Sequence, residues 1–296
     1  WIAKIGSMSL SFLSECKEKV FNRIDSLLPN TNKIASSMRY SALADSKCIR
    51  AGLVFASGNL NKEISNSALI DMATSIELMH TYSLIHDDLP SMDNDEMRRG
   101  QAANHIKFNE ATAILTGDAL QALAYENIVS SSNITQSQKI SSIKALSNAC
   151  GHEGMILGQQ YDLDAENNEY NDIKKIHELK TGRLIRVAMT MPHLGNENQK
   201  NQLILLDEIG RDLGLAFQII DDVLEASSDS STLGKSNQSD LMNKKLTYVN
   251  TFGKQASINQ AHALSSACIS KLESSFHENE VNALLELAKF MVERKN

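Results

Sequence analysis

The chain has 296 residues, enough to bury a sizeable core, and its 42% hydrophobic and 22% charged content is that of an ordinary globular protein rather than a disordered or membrane-embedded one. Its 36 acidic residues against 29 Lys and Arg leave a net charge of −7, which argues against nucleic acid as the main partner. The four cysteines, Cys16, Cys48, Cys150 and Cys268, stand singly without C-x-x-C spacing, so buried thiols in a reducing compartment are expected instead of disulfides or a zinc site.

Only three prolines and 14 glycines interrupt segments whose apolar residues recur three and four apart, which predicts an all-α chain. Residues 1–7 are set aside as a foreign or disordered N-terminal extension, and 8–296 are read as one domain. Helices are predicted over 8–27, 33–58 and 66–89. The third carries Met79-His80-Thr81-Tyr82-Ser83-Leu84-Ile85-His86-Asp87-Asp88, and helical spacing sets His80, Leu84 and Asp87 or Asp88 on one stripe. Asp93 lies six residues beyond Asp87, about 240° round an ideal helix, so it meets the same ion only if the helix ends. Pro90 supplies that break by disfavouring helical geometry at Leu89.

Further helices are predicted over 110–130, 136–149, 151–163, 171–191 and 199–227. The last of these presents Gln218, Asp221, Asp222 and Glu225 at spacings of three and four, an amide and three carboxylates on one face. The Ser-rich run 227–231 reads as a mobile loop leading into Gly234-Lys235 and able to close over a substrate. Helices over 240–250, 254–275 and 280–294 complete the chain, with no sustained alternating strand pattern. Polar breaks at 130–133, 167–168, 195–196 and 227–231 are short enough to be helix–helix connections, which favours a single large bundle of ten or more helices around a central cavity. No run of about 18 apolar residues occurs, so no membrane insertion is expected and the location is read as cytoplasmic.

Like charges as close as Asp221, Asp222 and Glu225 repel unless a cation is present, and hard oxygen ligands of this kind suit Mg²⁺ bridged to a phosphate. Both acidic clusters end strongly apolar runs, and cations follow each: Arg98 and Arg99 after the first, Lys235, Lys244 and Lys245 after the second. Carboxylates and cations together point to metal-bridged phosphate binding. His86, His152, His177 and His193 lack metal-ligand spacing and read as surface or satisfied core residues.

At these residues the chain resembles the short-chain trans-prenyl diphosphate synthases, and most closely the bacterial farnesyl diphosphate synthases, from about Met38 to Tyr248. The two aspartate-rich motifs stand at Asp87-Asp88-Leu89-Pro90-Ser91-Met92-Asp93 and Asp221-Asp222-Val223-Leu224-Glu225. Gly117-Asp118, Gly158-Gln159-Gln160-Tyr161-Asp162, Lys180-Thr181-Gly182 and Gly234-Lys235 fall in the family's order. The resemblance implies that Asp87, Asp93 and Asp221 ligate Mg²⁺, three ions with substrate bound, while Asp88, Asp222 and Glu225 support them through water. It assigns Arg98, Lys180, Lys235 and Lys245 to the allylic diphosphate and Lys47, Arg50, His80 and Arg99 to isopentenyl diphosphate. Lys180, Thr181 and Gln218 are expected to line the place where the allylic carbocation forms. Tyr82, with Ser83 beside it, is expected to limit the product to farnesyl diphosphate, and a homodimer is the family's usual assembly.

The pattern is broken in places. The family's Gly-Gly-Lys-x-x-Arg-Pro is here Ala44-Asp45-Ser46-Lys47-Cys48-Ile49-Arg50-Ala51, which keeps both cations in spacing and loses the glycines and the proline. Glu225 replaces a final Asp, and the segment 244–249 keeps Lys245 and Thr247 without the flanking Gly and Pro. Three alternatives stay open: a longer, geranylgeranyl product, a non-catalytic partner subunit, and a terpene cyclase, against which Lys47, Arg50 and Arg99 speak.

Overall fold

The computed structural model describes residues 2–232 and 246–293, and among them more than ten α-helices and one two-residue ribbon make an all-α protein. Among these residues no helix is long and apolar enough to cross a membrane. The chain gathers into two compact units, one from Ser7–Ala145 with Ala188–Leu203, the other chiefly from Leu146–Val187 with Ile204 onward.

The first unit holds most of α1 (Ile2–Leu27), with α2 (Lys33–Ala42), α3 (Ile49–Gly58), α4 (Asn66–Asp87), α5 (Asn104–Lys107) and α6 (Glu110–Ser130), and α7 (Gln136–Cys150) lies at its boundary. Helix α1 begins at Ile2 and takes in residues 2–7. Side-chain caps start the others: Asn32 accepts from the Ala35 amide (2.9 Å), Ser65 from Ala68 (3.1 Å) and Asn109 from Thr112 (2.8 Å). Helix α4 has no single apolar stripe: residues from Ala68 to Ile85 are buried around its whole circumference, polar Asp71, Thr74, Ser75, Glu77 and Thr81 among them, as befits the central helix of a unit. It packs most extensively on α6. There Gly117 makes room for the His86 ring, because a Cβ at Gly117 would come within 2.1 Å of Nε2. That ring nitrogen donates to the Ile114 carbonyl at 3.0 Å.

The single helix expected over 33–58 is two helices. Leu43 ends α2, and Cys48 takes a left-handed conformation (φ 46°) ahead of α3. Helical spacing runs through the apolar residues on both sides, but the Asp45-Ser46-Lys47 stretch between them is polar and Ser46 lies 3.1 Å from the Cys48 sulfur in a local turn. The cysteines are all buried and free, and burial pushes the Cys16, Cys48 and Cys268 thiols up to about 12. A buried polar network also closes this unit. Asp71 receives Arg23 (2.9 Å), Ser131 and Asn133, while Asn127 donates to the Asp71 carbonyl (2.7 Å). His193 is fully buried, with Nε2 3.0 Å from the Ser57 carbonyl and Nδ1 3.1 Å from Gln199, a satisfied core histidine as expected.

The second unit holds α8 (Met155–Glu166), α9 (Ile173–His177), α10 (Arg183–Thr190), most of α11 (Lys200–Thr232), and three helices over Tyr248–Phe252, Lys254–Ser275 and Glu278–Glu293. On α11 the buried residues Leu206, Ile209, Leu213, Ala216, Ile220 and Val223 follow three- and four-residue spacing, and the last part of this stripe joins a core with Ile173, Tyr248, Ala261 and Val292. The expected helix over 171–191 is interrupted by a π turn at Glu178–Gly182 and ends in a 3₁₀ turn at Met191–His193. The Ser-rich run 227–231 is not a loop: α11 continues to Thr232, with the Ser227 hydroxyl bonded back to the Val223 carbonyl, one way a helix accommodates serine. Of the helix expected over 240–250, residues 240–245 lie outside the described residues, and Tyr248 opens a short helix instead. Its start is capped by Thr247, which accepts from Asn250 at 3.0 Å.

Candidate active site

The first acidic motif sits where α4 ends. Asp87 is the last helical residue and half-buried. Pro90 is followed by a turn in which the Asp93 amide donates to the Asp87 carbonyl at 2.8 Å and the Asn94 amide to Leu89 at 3.1 Å. The break expected at Pro90 therefore folds Asp93 back onto Asp87. Asp88 is 1% exposed and is gripped by Arg98, whose Nε lies 2.8 Å from Oδ1 and whose Nη2 makes a second contact to the same oxygen. Burial raises the Asp88 carboxyl above the ordinary range, outweighing the Arg98 guanidinium, and the Asp95 and Asp93 charges raise it further.

Arg98 and Arg99 are presented by the ribbon. Strands β1 (Met97–Arg98) and β2 (Gln101–Ala102) pair antiparallel with Arg98 opposite Gln101. Arg99 and Gly100 between them both have positive φ, 52° and 76°, as a two-residue hairpin turn requires. The ribbon is tied to α2 by the Tyr40 hydroxyl on the Ala102 carbonyl (2.8 Å) and by Gln101 on the Tyr40 carbonyl (3.1 Å). Asp88, Arg98, Arg99 and Thr81 line a small cavity of about 20 Å³ behind the motif, room for a water.

Beside α4, Arg50 Nη1 lies 3.1 Å from His80 Nε2. A guanidinium only donates, so Nε2 accepts and the neutral ring carries its proton on Nδ1. Burial, reinforced by the Arg50, Arg99 and Arg98 charges, holds His80 well below its ordinary 6.5, so three cations gather around a neutral ring. Lys47 is exposed on the preceding loop. Tyr82 is 5% exposed and meets His86 edge to face at 5.7 Å, and the Ser83 hydroxyl donates to the His80 carbonyl (2.9 Å).

In the second unit the acidic motif repeats the arrangement of the first. Asp221 is half-buried and Glu225 exposed, while Asp222 is 6% exposed and turned into the core, where it accepts the Tyr248 amide at 2.6 Å and lies 3.4 Å from His177 Nε2. His177, read from sequence as a surface or satisfied core residue, is 5% exposed and neighbours Asp222 of the motif. The π turn brings the next group together: Lys180 Nζ donates to Asp162 at 2.7 Å, and the Thr181 hydroxyl donates to Gln218 Oε1 at 2.8 Å. Two glycines permit it. A Cβ at Gly158 would lie 2.3 Å from the Lys180 nitrogen, and one at Gly214 would lie 3.0 Å from the Gly182 Cα. Lys235 and Lys245 lie outside the described residues.

Hard carboxylate oxygens on Asp87, Asp93 and Asp221 fit Mg²⁺ in type. Among the described residues no three His, Cys, Asp or Glu side chains converge into a cage.

In each of the two helical units the second member of the acidic pair is buried and held by protein groups, and the first is half-buried. The polyprenyl synthetase family model matches residues 31–288. A farnesyl diphosphate synthase of Haemophilus influenzae is 37% identical over 270 residues, 89% of each chain. The crystal structure of an FPP/GFPP synthase from Zymomonas mobilis superimposes with a TM-score of 0.84 at 32% identity, covering 99% of this chain and 100% of that one. A geranyltransferase from Helicobacter pylori, solved with magnesium and isoprenyl diphosphate, gives 0.79 at 30% identity over 96% of both chains. The chain belongs to the short-chain trans-isoprenyl diphosphate synthases and is a prenyltransferase with their fold.

Proposed function

We propose that the protein condenses isopentenyl diphosphate with dimethylallyl and then geranyl diphosphate, ending at farnesyl diphosphate. The observation that carries this reading is the repeated pair: Asp88 and Asp222 are anchored in protein, and Asp87 and Asp221 precede them at the half-buried surface. A solvated helix end has no need of the buried anchors.

Asp87, Asp93 and Asp221 are the direct Mg²⁺ ligands in this proposal, with three ions in the loaded enzyme, a reading supported by the magnesium in the Helicobacter pylori relative. When bound, the metal neutralises the diphosphate that leaves the allylic carbon. Asp88, Asp222 and Glu225 act in support, the first two by fixing the backbone of each motif. Arg98, Lys180, Lys235 and Lys245 hold the allylic diphosphate; Lys47, Arg50, His80 and Arg99 hold isopentenyl diphosphate. Neutral His80 contributes a hydrogen bond from Nδ1 where a charge would add to three neighbouring cations.

The allylic carbon–oxygen bond breaks. Oxygens of Thr181 and Gln218 with the Lys180 backbone stabilise the cation, the isopentenyl double bond forms the new carbon–carbon bond, and the proton leaves to the departed diphosphate. Tyr82 and Ser83 set product length. A longer product is the second reading, because the Zymomonas mobilis relative is named for both FPP and GFPP. Residues 8–296 act as one catalytic domain in a cytoplasmic homodimer, a reading supported by the family match from 31 to 288. Diphosphate release tests the reaction: with Mg²⁺ it should require both substrates together, and release from the allylic substrate alone at the same rate would refute condensation.

A further inference from the structure

We infer that Glu77 is a positioning residue that holds the start of α3, and with it Arg50, in place of the proline this chain lacks. The inference rests on the proposed isopentenyl diphosphate site.

Aligned on Lys47 and Arg50, the family's Gly-Gly-Lys-x-x-Arg-Pro puts its proline at Ala51. Proline has no amide hydrogen, so alanine adds a donor in the first turn of α3, where the helix offers no acceptor. Ala51 is fully buried. The residue that should cap α3, Cys48, is left-handed and makes no side-chain cap. The donor is met from the neighbouring helix: Glu77, 5% exposed on α4, accepts the Ala51 amide through Oε1 at 2.9 Å. One turn further along the same face of α4, His80 meets Arg50 at 3.1 Å. Adjacent residues of α3 thus dock on adjacent turns of α4. The carboxylate also sits at the positive end of α3. Loss of this bond frees the α3 start to unwind and carries Arg50 away from His80.

The test is a two-by-two set, E77A and A51P alone and combined, with E77Q, whose amide oxygen still accepts. In E77A the KM for isopentenyl diphosphate should rise about ten-fold, the factor one charge-assisted hydrogen bond is worth, while the allylic KM stays within about two-fold. E77Q should restore most of the difference. In the A51P background, which has no donor to satisfy, E77A should add less than about a two-fold rise. Hydrogen exchange over residues 49–58 should be faster in E77A than in wild type and near wild type in E77Q. Equal effects of E77A with and without A51P, a parallel rise in both KM values, or unchanged exchange would each overturn the inference. If the wild-type chain condenses nothing, the proposed function fails, and exchange still judges whether Glu77 holds α3.

Discussion

Asp222 separates two roles that the motif runs together. Its carboxylate is 6% exposed, accepts the Tyr248 amide at 2.6 Å and lies 3.4 Å from His177. Replacing it with alanine removes a charge-assisted bond and strands a buried backbone donor, together a cost of about 3 kcal/mol. For a chain of this size that is a fall of roughly 5 °C in melting temperature. Asp222→Asn keeps an acceptor for the amide and should lose about 1–2 kcal/mol. Asp221→Asn, one residue away and half-buried, should stay within about 1 kcal/mol of wild type in stability while losing turnover. The assay is thermal unfolding by circular dichroism beside product formation for all three variants. An Asp222→Ala protein that melts with wild type, or an Asp221→Asn protein destabilised as much, refutes the division.

Gly158→Ala should displace the π turn, since its Cβ would fall 2.3 Å from the Lys180 nitrogen; turnover should drop at least about 100-fold, measured with both substrates saturating. His80 gives a pH dependence. Its folded pKa lies below the ordinary 6.5, so the unfolded chain takes up a proton first, and its contribution to stability is complete above pH 6.5 and lost as pH falls toward the folded value. Unfolding free energy should therefore decline below that pH with a His80 component of at most about 1.4 kcal/mol per unit, which His80→Asn removes in urea titrations. Tyr82→Leu keeps an apolar side chain on α4 about 7.5 Å before Asp87 and should shift product beyond C15, read by chromatography of the dephosphorylated alcohols.

The long helices were legible because their apolar residues repeat at three and four, as Leu206 to Val223 do on α11. The return of Asp93 to Asp87 was legible through Pro90, a local rule acting over a few residues. What escaped were partners set by tertiary packing. Nothing local ties Asp222 to Tyr248, 26 residues on, or to His177. The split between α2 and α3 was hidden because apolar spacing carries across it, while the decisive feature is the left-handed Cys48. In the Ser-rich run composition suggested a loop, and back-bonding of Ser227 to Val223 lets α11 continue. The Lys180 to Asp162 pair has the same origin as the Asp222 contacts: an interruption of the helix at Glu178–Gly182 turns the lysine toward α8.

The most direct test of chain elongation is to incubate the protein with Mg²⁺, labelled isopentenyl diphosphate and, in turn, dimethylallyl, geranyl and farnesyl diphosphate, with Asp87→Ala as control, and to size the products. Label should enter C15 product from the first two acceptors, with little extension of farnesyl diphosphate, and Asp87→Ala should keep its helical signal and lose incorporation. No incorporation with any acceptor, or full incorporation by Asp87→Ala, would contradict the account.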